Sequence, residues 1–205
     1  VRMYFSPRAF KLLSKFIKTN FLNNMEEEQY NHDCSVTLDL SKTDLDDAGA
    51  RVLSSLLMQE IAKKNKQAQQ GKEITMIMRS NKISSKGASA LAELLLYKGV
   101  VADEAHYNED NNCNYWSVNS MQLFMNEITD DGAIEFAQAL LEKCNSYCRI
   151  YLDLSMNSVT SKGAQKLLRA KQILEDDNEE HGGAEVKVNL KSNEKVAASD
   201  IKMLM

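Results

Sequence analysis

The side chains best suited to metal binding or nucleophilic chemistry are four cysteines and three histidines. They stand at Cys34, Cys113, Cys144 and Cys148, and at His32, His106 and His181. Zinc sites assemble from short paired spacings, such as two ligands three or four residues apart on each of two segments. No histidine here lies four residues from another histidine or from a cysteine. Cys144 and Cys148 are four apart and read as half-buried thiols at a helix end and the start of the next strand. Paired acids at Asp46-Asp47 and Asp130-Asp131 precede Gly-Ala dipeptides. They suit the positive end of a helix rather than a general acid/base pair. The acidic run from Asp176 to Glu180 lacks the alternating ligands and glycine of a calcium loop and reads as a solvated loop. No phosphate-binding, nucleophile-elbow or zinc-protease motif occurs. No catalytic residue, metal or cofactor is therefore expected, and the chain is not read as an enzyme.

Composition sets the frame around those residues. The chain has 205 residues, 43% hydrophobic and 26% charged, with a formal net charge of −4. That is ordinary for a folded globular protein of one or two domains. Mild acidity argues against a broad nucleic-acid footprint. No apolar run is long enough to cross a membrane, and the amino-terminal Val1-Arg2-Met3 lacks the basic-then-apolar plan of a secretory signal. The cysteine spacing does not resemble a disulfide framework. Reduced thiols and a cytoplasmic location are expected.

Laid against itself, the chain shows a repeat. Leu38-Asp39-Leu40-Ser41-Lys42-Thr43-Asp44-Leu45 is followed by Asp46-Asp47-Ala48-Gly49-Ala50. Further copies start at Met76, Met121 and Leu152, each ending in Gly-Ala, at Gly87, Gly132 and Gly163. Three residues after each alanine stands Leu53, Leu91, Phe136 or Leu167. A fifth copy, Val188-Asn189-Leu190-Lys191-Ser192-Asn193, decays, with Val196 one place late and no Gly-Ala pair. Ser6 to Leu13 resembles Ser161 to Leu168, so the chain starts within one repeat and stops early in another, like a section of a solenoid. The alternation Leu38, Leu40 predicts a short strand with Asp39 facing out. Asn81, Asn126, Asn157 and Asn193 suit side chains that bond the backbone as it leaves the strand, with Thr43 a weaker substitute. Ser, Thr or Asp before Gly-Ala marks a helix start, and the later leucines recur at helical spacing.

This pattern resembles the leucine-rich repeats of the ribonuclease-inhibitor type over about residues 34–200. The resemblance implies an α/β solenoid, a horseshoe with parallel strands on the concave face and helices on the convex face. It divides the chain into 1–33, a partial repeat with a helix and a linker, and 34–205, four full repeats plus the degenerate fifth. Stacked copies share one core, and about three are enough for stability. Repeats in that family run to about 28 residues. Here the equivalent positions Leu40, Met78, Leu123, Leu154 and Leu190 are 38, 45, 31 and 36 apart. The excess falls between each helix and the next strand. Lys63–Lys72 reads as a polar helix extension or loop, and the longest insert, Lys98 to Ser117, holds Tyr107, Tyr115 and Trp116. Trp116 is expected to pack at the start of the third strand.

Alternation assigns three outward rows. They are Thr37, Thr75, Ser120, Tyr151, Lys187; Asp39, Ile77, Gln122, Asp153, Asn189; and Ser41, Arg79, Phe124, Ser155, Lys191. Ile77, Arg79, Phe124 and Tyr151 form an anchor cluster ringed by Asp39, Gln122, Asp153 and Asn189. Arg and aromatic anchors inside a polar rim are the composition of a protein-binding surface. The expected function is a monomeric protein-interaction module that binds a protein partner through this face, with no nucleic-acid or membrane partner. The alternative is a regulator of a small GTPase, as in the Ran GTPase-activating protein family, which shares this repeat type.

Overall fold

A computed structural model describes residues 35–67, 73–97, 116–143, 149–176, 185–193 and 195–197. The four cysteines, the three histidines and the expected partial repeat at 1–33 lie outside them. Strands and helices alternate as β1 (Ser35–Asp39), α1 (Asp47–Gln67), β2 (Glu73–Ile77), α2 (Ser85–Leu96), β3 (Ser117–Gln122), α3 (Asp130–Lys143), β4 (Arg149–Asp153), α4 (Ser161–Asp176) and β5 (Glu185–Asn189). The five strands form one parallel sheet in sequence order. This is the α/β repeat solenoid that the periodicity predicts.

Each repeat contributes the same rungs to one continuous core. Leu38, Met76, Met121, Leu152 and Val188 form the first, all at 2% exposure or less. Met78, Leu123, Leu154 and Leu190 follow at the carboxyl ends of the strands, and Ile83, Ile128 and Val159 close the turn. The helices answer with Leu53, Leu91, Phe136 and Leu167, each at 0%. All these side chains share one cluster, so the helices cover one face of the sheet and leave the other open. Helices need about 8–10 Å of lateral room and strands about 4.8 Å. A repeat carrying one of each therefore curves with the sheet on the inside.

The turn after each strand is built the same way five times. Lys42, Ser80, Met125, Met156 and Ser192 all adopt left-handed backbone, with φ between 51° and 59°. A non-glycine residue there costs about 1–2 kcal/mol. The asparagine that follows offsets this by bonding the backbone in two repeats. Asn157 Nδ2 donates to Leu154 O at 3.1 Å in its own turn and to Leu123 O at 2.9 Å in the preceding one. Its Oδ1 accepts from Ile128 N at 3.0 Å. Asn81, Asn126 and Asn193 repeat this bridge. Thr43 Oγ1 reaches its own Leu40 O at 2.9 Å.

Helix starts are also joined across repeats, which refines the reading of the paired acids. Asp46 bonds its own helix, accepting from Gly49 N at 2.9 Å. Asp47 instead accepts from Ser84 N, Ser84 Oγ and Gly87 N, at the start of α2. Asp130 does the same for Thr160 and Gly163 at the start of α4. At the alternate steps a serine takes the place: Ser85 pairs with Thr129, and Ser161 bonds Lys195 O and Ala197 N. The glycines are needed for this close approach. A Cβ on Gly87 would stand 2.6 Å from Asp47 Oδ1, and one on Gly163 2.7 Å from Asp130 Oδ1.

Three irregularities depart from the plain repeat. Lys63–Lys72 begins as a helix extension, since α1 runs to Gln67. There Asn65 clamps the backbone of Trp116, accepting from its N at 2.6 Å and donating to its O at 3.1 Å. The Trp116 ring is buried at 4% exposure, at the start of β3 as expected. Between β2 and β3 the register shifts: Ile74 faces Val118 but Thr75 faces Ser120, leaving Asn119 as the extra residue of a bulge. In the last repeat the bridge from Thr160 goes to Lys195, two residues past Asn193, and Val196 packs on the core. That accommodates its one-place delay.

Candidate functional site

The open sheet face is built by the outward half of each strand, and the observed pairing gives its rows. Thr37, Thr75, Ser120, Tyr151 and Lys187 are cross-strand neighbours, as are Asp39, Ile77, Gln122, Asp153 and Asn189. The third row lies just past the strands, where the backbone ladder continues. Lys42 N bonds Arg79 O, Ser80 N bonds Phe124 O, Met125 N bonds Ser155 O and Met156 N bonds Lys191 O, all at 2.9–3.1 Å. Ser41, Arg79, Phe124, Ser155 and Lys191 are thereby held side by side. The eight residues singled out from the sequence all fall on this face. Ile77, Gln122, Phe124, Asp153 and Asn189 are half-buried, and Asp39, Arg79 and Tyr151 are exposed.

Several polar members of the face hold their own strands straight. Asp39 Oδ1 accepts from Ser41 N at 2.9 Å and Ser41 Oγ at 2.6 Å. These bonds, with a smaller contribution from the Arg79 charge, keep its carboxyl below the usual range. Asp153 grips Ser155 in the same way, and Asn189 Oδ1 accepts from Lys191 N at 3.1 Å. Burial pushes the Tyr151 hydroxyl up, and the neighbouring Asp153 carboxylate adds to the shift. A phenol held protonated in this way is a hydrogen-bonding group, not a base.

Two contributors to the face escaped the sequence reading. Met125 and Met156 are each 44% exposed, among the most exposed large apolar residues described. They occupy the left-handed turn position in adjacent repeats, next to Phe124 and Ser155. The available signal was an apolar residue just before the repeat's asparagine, where the first, second and fifth copies carry Lys42, Ser80 and Ser192.

A second concavity lies on the opposite side. It is a groove of about 420 Å³ between α1 and α2, lined by Arg51, Ser54, Ser55, Met58, Lys86, Ser89, Ala90 and Glu93. No hydrogen bond among the described residues links its serines to Lys86 or Glu93, as an activated nucleophile would need. Among the described residues no group of three or more His, Cys, Asp and Glu side chains could hold a metal ion. No described helix is long and apolar enough to cross a membrane.

The family described as "Leucine Rich repeat" matches the chain at residues 32–54, 77–92, 117–137 and 150–168. Each match includes strand residues, the asparagine or threonine turn and the first turns of the helix. No curated protein matches the chain in sequence.

Proposed function

We propose, from the premise that this chain contains a leucine-rich repeat domain, that it is a protein-interaction module whose partner docks on the concave sheet face. The observation that supports this most is the open face itself. The sheet and its turns present Tyr151, Met125 and Met156 to solvent, with half-buried Ile77 and Phe124 and exposed Arg79 beside them. Exposed apolar surface of this kind, rimmed by polar groups, marks contact sites on folded proteins. The binding unit in this proposal is 34–205, with 1–33 supplying a partial repeat and a linker. The protein acts as a monomer in the cytoplasm, where cysteines spaced as these are remain thiols.

The test is capture of partners by the wild-type chain and by an Ile77→Asp/Phe124→Asp variant shown to be folded by circular dichroism. Neither side chain belongs to the buried cluster, so the variant keeps its core. Partners lost with the variant support docking on the sheet face. Partners retained move the site to the loops or helices and sink the proposal. A small GTPase among the lost partners, hydrolysing GTP faster with the chain present, would identify the module as a GTPase regulator.

A further inference from the structure

The sheet face is chemically uneven, and the unevenness names a partner chemistry. Along its carboxyl-terminal edge, two adjacent rows run from β1 to β5: Ser41, Arg79, Phe124, Ser155 and Lys191, and the turn residues Lys42, Ser80, Met125, Met156 and Ser192. Cations stand at both ends with an apolar strip between them. No acid stands in these two rows, and the Asp39 and Asp153 carboxylates of the next row are taken up by Ser41 and Ser155. In an otherwise acidic chain of net charge −4, such an edge runs against the average.

Nearby cations differ in having partners. Lys82 is paired with Asp44 at 2.9 Å. Arg149 and Lys187 both pair with Glu185. Lys42, Arg79 and Lys191 make no ion pair among the described residues and are exposed. Arg79 does exert its charge on Asp39, but that carboxylate is already bonded to Ser41.

Resting on the sheet-face reading above, we infer that this edge binds an extended acidic segment of a protein partner, with two carboxylates flanking a large apolar residue. Arg79 and Lys191 are three strand steps apart, which is about 14 Å at about 4.8 Å per step. An extended chain covers that distance in about four residues. Side chains of an extended chain alternate, so the segment reads acid, any residue, large apolar residue, any residue, acid. It lies across the strands, with its central apolar side chain on Phe124, Met125 and Met156. Thioether side chains adapt to varied apolar shapes, and the guanidinium of Arg79 takes a carboxylate through two donors. A nucleic acid is the poorer fit. A phosphate backbone needs a continuous basic track, and here the centre of the edge is apolar with Asp39 and Asp153 one row away.

The experiment is an array of immobilised peptides, Glu-x-x-x-Glu with x drawn from Leu, Ile, Val, Phe and Met, beside matched Ser-x-x-x-Ser and Lys-x-x-x-Lys sets. The wild-type chain is expected to bind the glutamate set about tenfold more strongly than the others, and less strongly as salt rises. An Arg79→Glu/Lys191→Glu variant changes only exposed side chains, and it should lose the glutamate set and gain the lysine set. Phe124→Ala should weaken binding without altering the charge preference. Equal binding to the three sets, binding to none, an unchanged preference in the charge-reversed variant, or preference for oligouridylate RNA would each overturn the inference. If the charge-reversed variant keeps the cellular partners that Ile77→Asp/Phe124→Asp loses, the partner chemistry is wrong while the docking face stands. If both variants keep them, the docking face itself fails.

Discussion

Asn157 shows how much one side chain of this repeat carries. Its amide bonds one backbone N–H and three carbonyls, of Leu123, Leu154 and Ser155, in two repeats. Asn157→Ala leaves Ile128 N without a partner, while Leu123 O keeps Asn126 Nδ2 and Leu154 O keeps Asn193 Nδ2, and it is expected to cost about 1–3 kcal/mol. Thr43→Ala removes a hydroxyl whose main bond is to Leu40 O and should cost under about 1 kcal/mol. Urea unfolding of the two variants checks the ratio, and equal losses would contradict the bridging role. The two turn methionines have a different consequence. Peroxide should convert Met125 and Met156 to sulfoxides well before Met76, Met78 and Met121, which are 0% exposed, because oxidation follows access. Peptide mass spectrometry over a time course reads the order. Residue types at both positions were plain in the sequence, but the exposure of the methionines was not. It follows from the left-handed turn, which turns their side chains outward.

Between elements, the couplings run from each helix start to the next. Asp130 belongs to α3 yet bonds the first turn of α4. Burial works to raise its carboxyl pKa, but the hydrogen bonds from Thr160 and Gly163 outweigh it and the net direction is down. A carboxyl lowered in the folded state contributes stability that is fully present above its unfolded pKa, about 3.9. That contribution is lost as pH falls through the folded value. Wild-type stability should therefore drop below about pH 4 more steeply than that of Asp130→Asn, as read from urea midpoints at a series of pH values. Parallel curves would remove Asp130 from this role. Gly87→Ala tests the same joint sterically. The added Cβ meets Asp47 Oδ1 at 2.6 Å and Ile83 Cγ2 at 2.8 Å, with an expected cost of about 1–3 kcal/mol. The sequence placed these acids at helix starts. It did not show that Asp47 and Asp130 serve the following helix, because that depends on how closely the stacked repeats approach.

Across the molecule, each repeat is held by its neighbours. Leu123 is 0% exposed and sits just past the end of the third of five strands. Leu123→Ala should cost about 2–5 kcal/mol and lower hydrogen-exchange protection in β2 and β4 as well as β3, since solenoid stability is passed through shared interfaces. Loss confined to β3 would mean that the repeats act independently.

Spacing alone determined the strand-turn-helix unit, its repetition, the buried rungs and the outward rows, because a strand alternates strictly and every copy obeys the same alternation. The rows survived the bulge at Asn119 only because the extra residue falls before Ser120. One position later Asn119 rather than Ser120 would have faced Thr75, with Met121 and Gln122 keeping their partners. Tertiary structure alone decided that, along with the clamp of Asn65 on Trp116, 51 residues away. It also decided the union of Lys42, Arg79, Phe124, Met125, Met156 and Lys191 along one edge. Those residues are scattered over some 150 positions of chain. Only the parallel register, set by buried contacts and by backbone bonds from strand to strand, makes them neighbours.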